Sequence, residues 1–168
     1  MHLCRTLYAL ILFFQAISLL AQDSTLFRFQ MEDQFGEDHR YENYIGKVLI
    51  VVGSDRGGSH YNEIWSFAIH DSLEDYQLQD SVTFIAVANV KGVPRLLRGF
   101  VRGKFPRQKH HRILMDWEGE FARKYQYEPG ATNILVIDRE GRVIHQLHGT
   151  LLKPEAISPI IKKIVTLF

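Results

Sequence analysis

The sequence predicts an α/β domain with a central, mostly parallel sheet and helices on both faces, ending in an antiparallel hairpin and a terminal helix. Two observations carry this. The runs at 47–52, 82–90 and 133–138 are almost continuously apolar and rich in β-branched residues, as strands buried on both faces are. Around them, apolar residues recur at spacings of three and four, which marks amphipathic helices.

The elements follow in order. The first run ends at Gly53. Ile64, Trp65, Ala68, Ile69, Leu73 and Tyr76 then define a helix from Asn62 to Tyr76. After the second strand, Pro94 suits the first turn of a helix, and Leu97, Phe100 and Val101 give it an apolar side to about Phe105. A short strand at 113–115 and a short helix at 118–125 precede the third strong strand. Asp138-Arg139-Glu140-Gly141 reads as a turn into a strand at 142–148. Ile157, Ile160, Ile161, Ile164 and Val165 share one face of the last helix, with Pro159 expected near its start and Ser158 as its cap. The order β-α-β-α-β-α-β-β-α has no repeats and no internal linker.

Upstream of these elements, one basic residue, Arg5, precedes an apolar stretch from Leu7 to Leu20, and Gln22-Asp23-Ser24 follows. That stretch is shorter than the roughly 20 residues a membrane-spanning helix needs. The pattern is that of a secretory signal peptide over residues 1–21, cleaved after Ala21, with a domain over 22–168. An uncleaved N-terminal anchor is the alternative. No later segment is long and apolar enough to span a bilayer. The single cysteine, Cys4, lies before the apolar stretch, which argues against a lipoprotein and leaves residues 22–168 without a thiol. Without a thiolate there is no disulfide exchange, no peroxidatic nucleophile and no cysteine-bound metal. A domain of this length buries a core without disulfides.

Several short motifs carry a resemblance. Gly46-Lys47 before the first run, and Phe35-Gly36 before that, stand where redoxin-type chains have a D-x-x-G turn and a Gly-Lys followed by an apolar strand. The segment from Met115 to Tyr125 resembles their D-x-x-G-x-x-A-x-x-Y pattern, and Ile134 to Val143 is similar to their F-L-I-D-x-x-G-x-I hairpin. In this order and spacing the motifs resemble the peroxiredoxin and periplasmic thiol–disulfide oxidoreductase superfamily. The resemblance implies a thioredoxin-like three-layer sandwich. It also implies a cysteine pair at the start of the first long helix and a cis-proline facing it. Counting along the chain puts Gly58 and Tyr61 at the cysteine positions, with a shift of one or two residues open, and Thr132 at the proline position. Neither a cysteine nor the proline is there. The resemblance therefore transfers no catalytic residue and implies no cofactor.

The loop Ser54-Asp55-Arg56-Gly57-Gly58-Ser59-His60 remains a candidate. Gly57-Gly58 is expected to turn the backbone with positive φ, and Ser59 is a suitable N-cap. The helix N-terminus, helped by Arg56, could hold an anion; the plainer reading is a capped helix start. From Lys91 to Arg112 there are eight basic residues and no acidic one. Arg95, Arg98 and Arg102 fall on one helix face, followed by Arg107 and Lys109. The segment from Glu32 to Glu42 is mainly acidic, while the net charge is only +1. A basic face attracts phosphate, anionic headgroups or an acidic partner, or is simply solvated. No base-reading motif points to nucleic acid. His60, His70, His110, His111, His145 and His148 show no recognisable metal-ligand spacing. No hydrolase triad or phosphate loop is present, although Asp55 and His60 are close in sequence. Three functions are left: a binding or accessory module of the cell envelope without redox activity, a redoxin-class enzyme using other groups or a partner's thiols, and an anion-binding protein.

Overall fold

The computed structural model describes residues 26–168; the expected signal segment, 1–21, lies outside the described residues. The order is β1 (Gln30–Glu32), β2 (Asp38–Arg40), β3 (Val48–Ser54), α1 (Ser59–Glu74), β4 (Val82–Asn89), α2 (Arg98–Arg102), β5 (Ile113–Asp116), α3 (Glu120–Lys124), β6 (Thr132–Ile137), β7 (Val143–Gly149) and α4 (Pro154–Val165). The five-stranded sheet runs β5-β4-β3-β6-β7. β3, β4 and β5 are parallel, whereas β6 is antiparallel to β3 and β7 to β6. The sheet is therefore mixed, with the expected hairpin at one edge.

Every residue of β3 and of β6 is buried, as their unbroken apolar runs require. On one face Val48, Ile50 and Val52 pack with Trp65, Ile69 and Leu73 of α1 and Ile157, Ile160, Ile161 and Ile164 of α4. On the other, Leu49 and Val51 pack with Phe27, Tyr41, Leu114, Phe121 and Tyr125. Phe27 stacks edge-on against Tyr41 and Phe121 at 5.8 Å each. These are the three layers.

Four local readings are corrected. The first helix starts at Ser59 rather than Asn62, since the spacing that marked it begins only where its apolar face does. The basic helix is shorter than expected: Arg95–Leu97 is a 3-10 turn, and only Arg98–Arg102 is α-helical. The last helix starts at Pro154, with Lys153 as its N-cap, so Pro159 lies inside it rather than at its start. Proline is tolerated in the first turn and costs a backbone hydrogen bond further in; here the four buried isoleucines of that helix outweigh the loss. Finally, the hairpin β1–β2 was not anticipated, because its strands are three residues long and mostly polar.

Three tight turns share one construction. Asp33, Asp116 and Asp138 are all buried, and each is followed three residues later by a glycine at positive φ: Gly36, Gly119 and Gly141. Asp138 Oδ1 accepts from the N–H of Glu140 and of Arg142. Asp116 Oδ2 accepts from Ala122 N–H at 2.8 Å, holding the start of α3. Asp33 Oδ1 accepts from Phe35 and Glu37 N–H, and Oδ2 from Arg112 at 2.5 Å and His39 at 3.0 Å. Burial alone would raise the Asp33 pKa, but the Glu37 backbone, Arg112, His39 and the Phe35 backbone outweigh it and hold it below 3.8.

Asp33→Asn should therefore destabilise the protein by about 2 to 3 kcal/mol at neutral pH, through lost charge-assisted hydrogen bonds. A depressed carboxyl stabilises above its unfolded pKa and stops doing so as pH falls through its folded value. The gap between wild type and variant, read from urea unfolding, should hence narrow as pH drops below 3.8.

Candidate functional site

Parallel strands β3 and β4 end side by side, Ser54 opposite Ala88, and the loop to α1 leaves from there. Across from it lies the turn before β6. Asp55 Oδ1 accepts from Gly58 N–H at 2.9 Å and from Gly130 N–H at 3.2 Å, tying loop to turn. Its carboxylate thus occupies the place beside the helix N-terminus that an external anion would take. Gly58 is buried, at φ −88°, and is the backbone N-cap of α1. Positive φ is not what requires a glycine there, contrary to expectation. The requirement is space: a β-carbon on Gly58 would lie 2.9 Å from Ala131 N and nearer still to its carbonyl carbon and oxygen. Ser59 is not the cap either. It is the first helical residue, and its hydroxyl donates to Arg56 C=O at 2.9 Å. Arg56, Gly57, Ser59 and His60 are exposed.

Beneath this loop runs a chain of side-chain hydrogen bonds. Asn62 Nδ2 donates to Ser54 Oγ at 2.9 Å, and Thr132 Oγ1 donates to Asn62 Oδ1 at 2.7 Å. Ser54 and Thr132 are buried, so these partners meet a need that water does not. Thr132, at the expected proline position, follows a trans peptide bond. Tyr61, in the first turn of α1, half-buries its ring against the core, and its ring lies tilted against that of His60 at 3.7 Å. On the opposite sheet face, Tyr127 covers Gly53, where a β-carbon would come within 2.6 Å of the Tyr127 hydroxyl. That hydroxyl has no hydrogen-bond partner among the described residues. Burial, then the nearby Asp116 charge, push its pKa far above the phenolic range.

The loop residues are thus brought together with Thr132, and Asn62 joins them unanticipated. A signal for it was available: Ser59 and Asn62 are spaced as a C-x-x-C pair, one residue beyond the counted Gly58 and Tyr61.

The basic segment does not form one face. Arg98 pairs with Glu118 at 2.6 Å and lies 4.9 Å over the Trp117 ring. Arg102 pairs with Glu32 and also approaches Trp117. Arg112 bridges Asp33 and Glu37, so a guanidinium already sits in the Asp33–Glu37–His39 cluster. The acidic 32–42 segment thereby neutralises two of the eight cations, Arg102 and Arg112, and Glu118 a third, Arg98. Arg95, Arg107 and Lys109 are exposed and make no ion pair among the described residues. His145 has its pKa lowered by burial and by Lys163. Among the described residues no helix is long and apolar enough to cross a membrane.

This geometry defines a thioredoxin-like fold whose helix start carries no thiol. Solved structures agree on the fold. The SCO1/SenC family lipoprotein of Bacillus anthracis superposes with a TM-score of 0.59 at 15% identity, over 84% of this chain and 94% of that one. The exposed lipoprotein thioredoxin Etrx1 of Streptococcus pneumoniae gives 0.56 at 18%, over 81% and 98%. A putative thiol:disulfide interchange protein DsbE of Chlorobium tepidum gives 0.53 at 16%, over 83% and 92%. No protein-family model and no curated protein matches the sequence. In particular, then, this chain has the thioredoxin-like architecture while its sole cysteine is Cys4.

Gly58→Ala should cost about 3 kcal/mol, because the colliding partner is backbone and cannot rotate away. Gly99→Ala in α2, where a β-carbon meets nothing within 4 Å, should be neutral or stabilising by up to about 1 kcal/mol. Urea unfolding of the two variants side by side checks both.

Proposed function

We propose that this protein is an exported, redox-inactive binding or accessory module of the cell envelope, with residues 22–168 as its working domain. One observation carries the reading: the helix start where a reactive thiolate would stand bears Ser59 and no thiol, and the polar groups around it are met by the chain itself. Gly58 abuts Ala131 and Asp55 supplies the negative charge beside the helix start, while Asn62 joins Ser54 to Thr132. No thiolate, and no strongly polarised substitute, remains there for covalent chemistry. The lipoproteins among the structural neighbours, and the signal-like pattern of residues 1–21, support the envelope location.

Insulin-reduction and peroxide-consumption assays should read background for the wild-type protein beside an authentic redoxin; turnover above background sinks the proposal and directs mutagenesis to 54–62. Ser59→Cys with Asn62→Cys should create an i, i+3 thiol pair at a helix start and give measurable insulin reduction. Gly58→Cys with Tyr61→Cys should instead yield an unstable protein. Export predicts that protein recovered from the envelope begins at Gln22, which intact-mass measurement decides.

A further inference from the structure

The turn and short helix at 95–102 expose three large apolar side chains within five residues. Leu96 is 98% exposed, Leu97 52% and Phe100 66%. Isolated exposed apolar residues are ordinary, but a contiguous group is not. Cations flank this group along the chain: Lys91, Arg95, Lys104, Arg107 and Lys109 are all exposed and make no ion pair among the described residues. Lys104 Nζ lies 4.6 Å over the Phe100 ring, so charge and apolar surface are one patch. No acidic residue occurs from 91 to 112. The anionic side chains nearby, Glu32 and Glu118, are committed to Arg102 and Arg98. Those pairs, with both guanidinium groups over Trp117, anchor the helix to the domain by one side and turn the other outward.

We propose that this patch docks the protein onto an anionic phospholipid surface, with Leu96, Leu97 and Phe100 entering the headgroup–acyl boundary and the five cations contacting lipid phosphates. Apolar wedges amid unpaired Lys and Arg are what interfacial binding requires, and each basic residue near an anionic surface adds attraction that salt screens. An acidic protein would need an apolar pocket of matching shape beside its carboxylates to cover the leucine, whereas a bilayer interface offers phosphates and acyl chains side by side. The inference is independent of the proposed redox inactivity, since it concerns none of the residues at 54–62.

Vesicle flotation with purified protein tests it, using phosphatidylcholine–phosphatidylglycerol vesicles against phosphatidylcholine alone. Binding is expected only to the anionic vesicles. Arg95→Gln, Lys104→Gln, Arg107→Gln and Lys109→Gln together should weaken it by about a hundredfold or more. Leu96→Ser, Leu97→Ser and Phe100→Ser together should weaken it at least tenfold and make the remainder fully salt-sensitive. All substituted side chains are exposed, and unchanged thermal unfolding confirms that the variants fold. The proposal is overturned if wild type fails to float with anionic vesicles at low salt. It is equally overturned if the apolar triple variant binds like wild type, or if soluble polyglutamate competes as well as lipid does; those results would mean a simple anion surface or an acidic protein partner.

Discussion

Two-sided burial of β3 is the constraint from which the rest of the molecule follows. Val48, Ile50 and Val52 need cover on one face, and Leu49 and Val51 on the other. A single strand cannot obtain both without neighbours that supply helices above and below. β4 and β6 flank it in opposite directions, α1 and α4 close one face, and the aromatic group around Phe27 closes the other. Apolar burial at roughly 25 cal/mol per Å² is the dominant favourable contribution in such an arrangement. It also decides where the chain must turn, and therefore where polar groups collect.

Those turns are built from aspartate more than from glycine alone. At Asp33, Asp116 and Asp138 a buried carboxylate gathers backbone N–H groups that the strands leave unpaired. Asp55 does the same for Gly58 and Gly130 at the candidate site. A buried carboxylate is costly unless several donors meet it, so each turn is ordered as a unit. This gives a physical reason for the D-x-x-G motifs that carried the resemblance: the aspartate organises the donors, and the glycine adopts a backbone that a β-carbon would strain.

The parts legible in the sequence were those set by periodicity. The three strong strands and both long helices could be placed because burial imposes a pattern along the chain. The β1–β2 hairpin could not, since three polar residues per strand carry no period. The basic segment reads differently in space than in sequence. Spacing put Arg95, Arg98 and Arg102 on one face, but Arg98 and Arg102 turn toward Trp117 and the glutamates. Those partners lie 20 and 70 residues away. Asn62 was overlooked for the same reason: its role depends on Thr132, which only the sheet brings near. Gly58 was noticed for the wrong property, flexibility, when its need is the absence of a side chain.

The parallel pairing of β3 with β4 has a further consequence. Both strands deliver their following segments to the same end of the sheet, one leading into the 54–62 loop and the other into the 91–112 stretch. A molecule held at one of these segments is therefore kept close to the other. For short tethers such confinement corresponds to effective concentrations in the millimolar range. A contact at the loop whose dissociation constant lies below that range would then be occupied for much of the time, although dilute molecules meeting freely in solution would seldom make it.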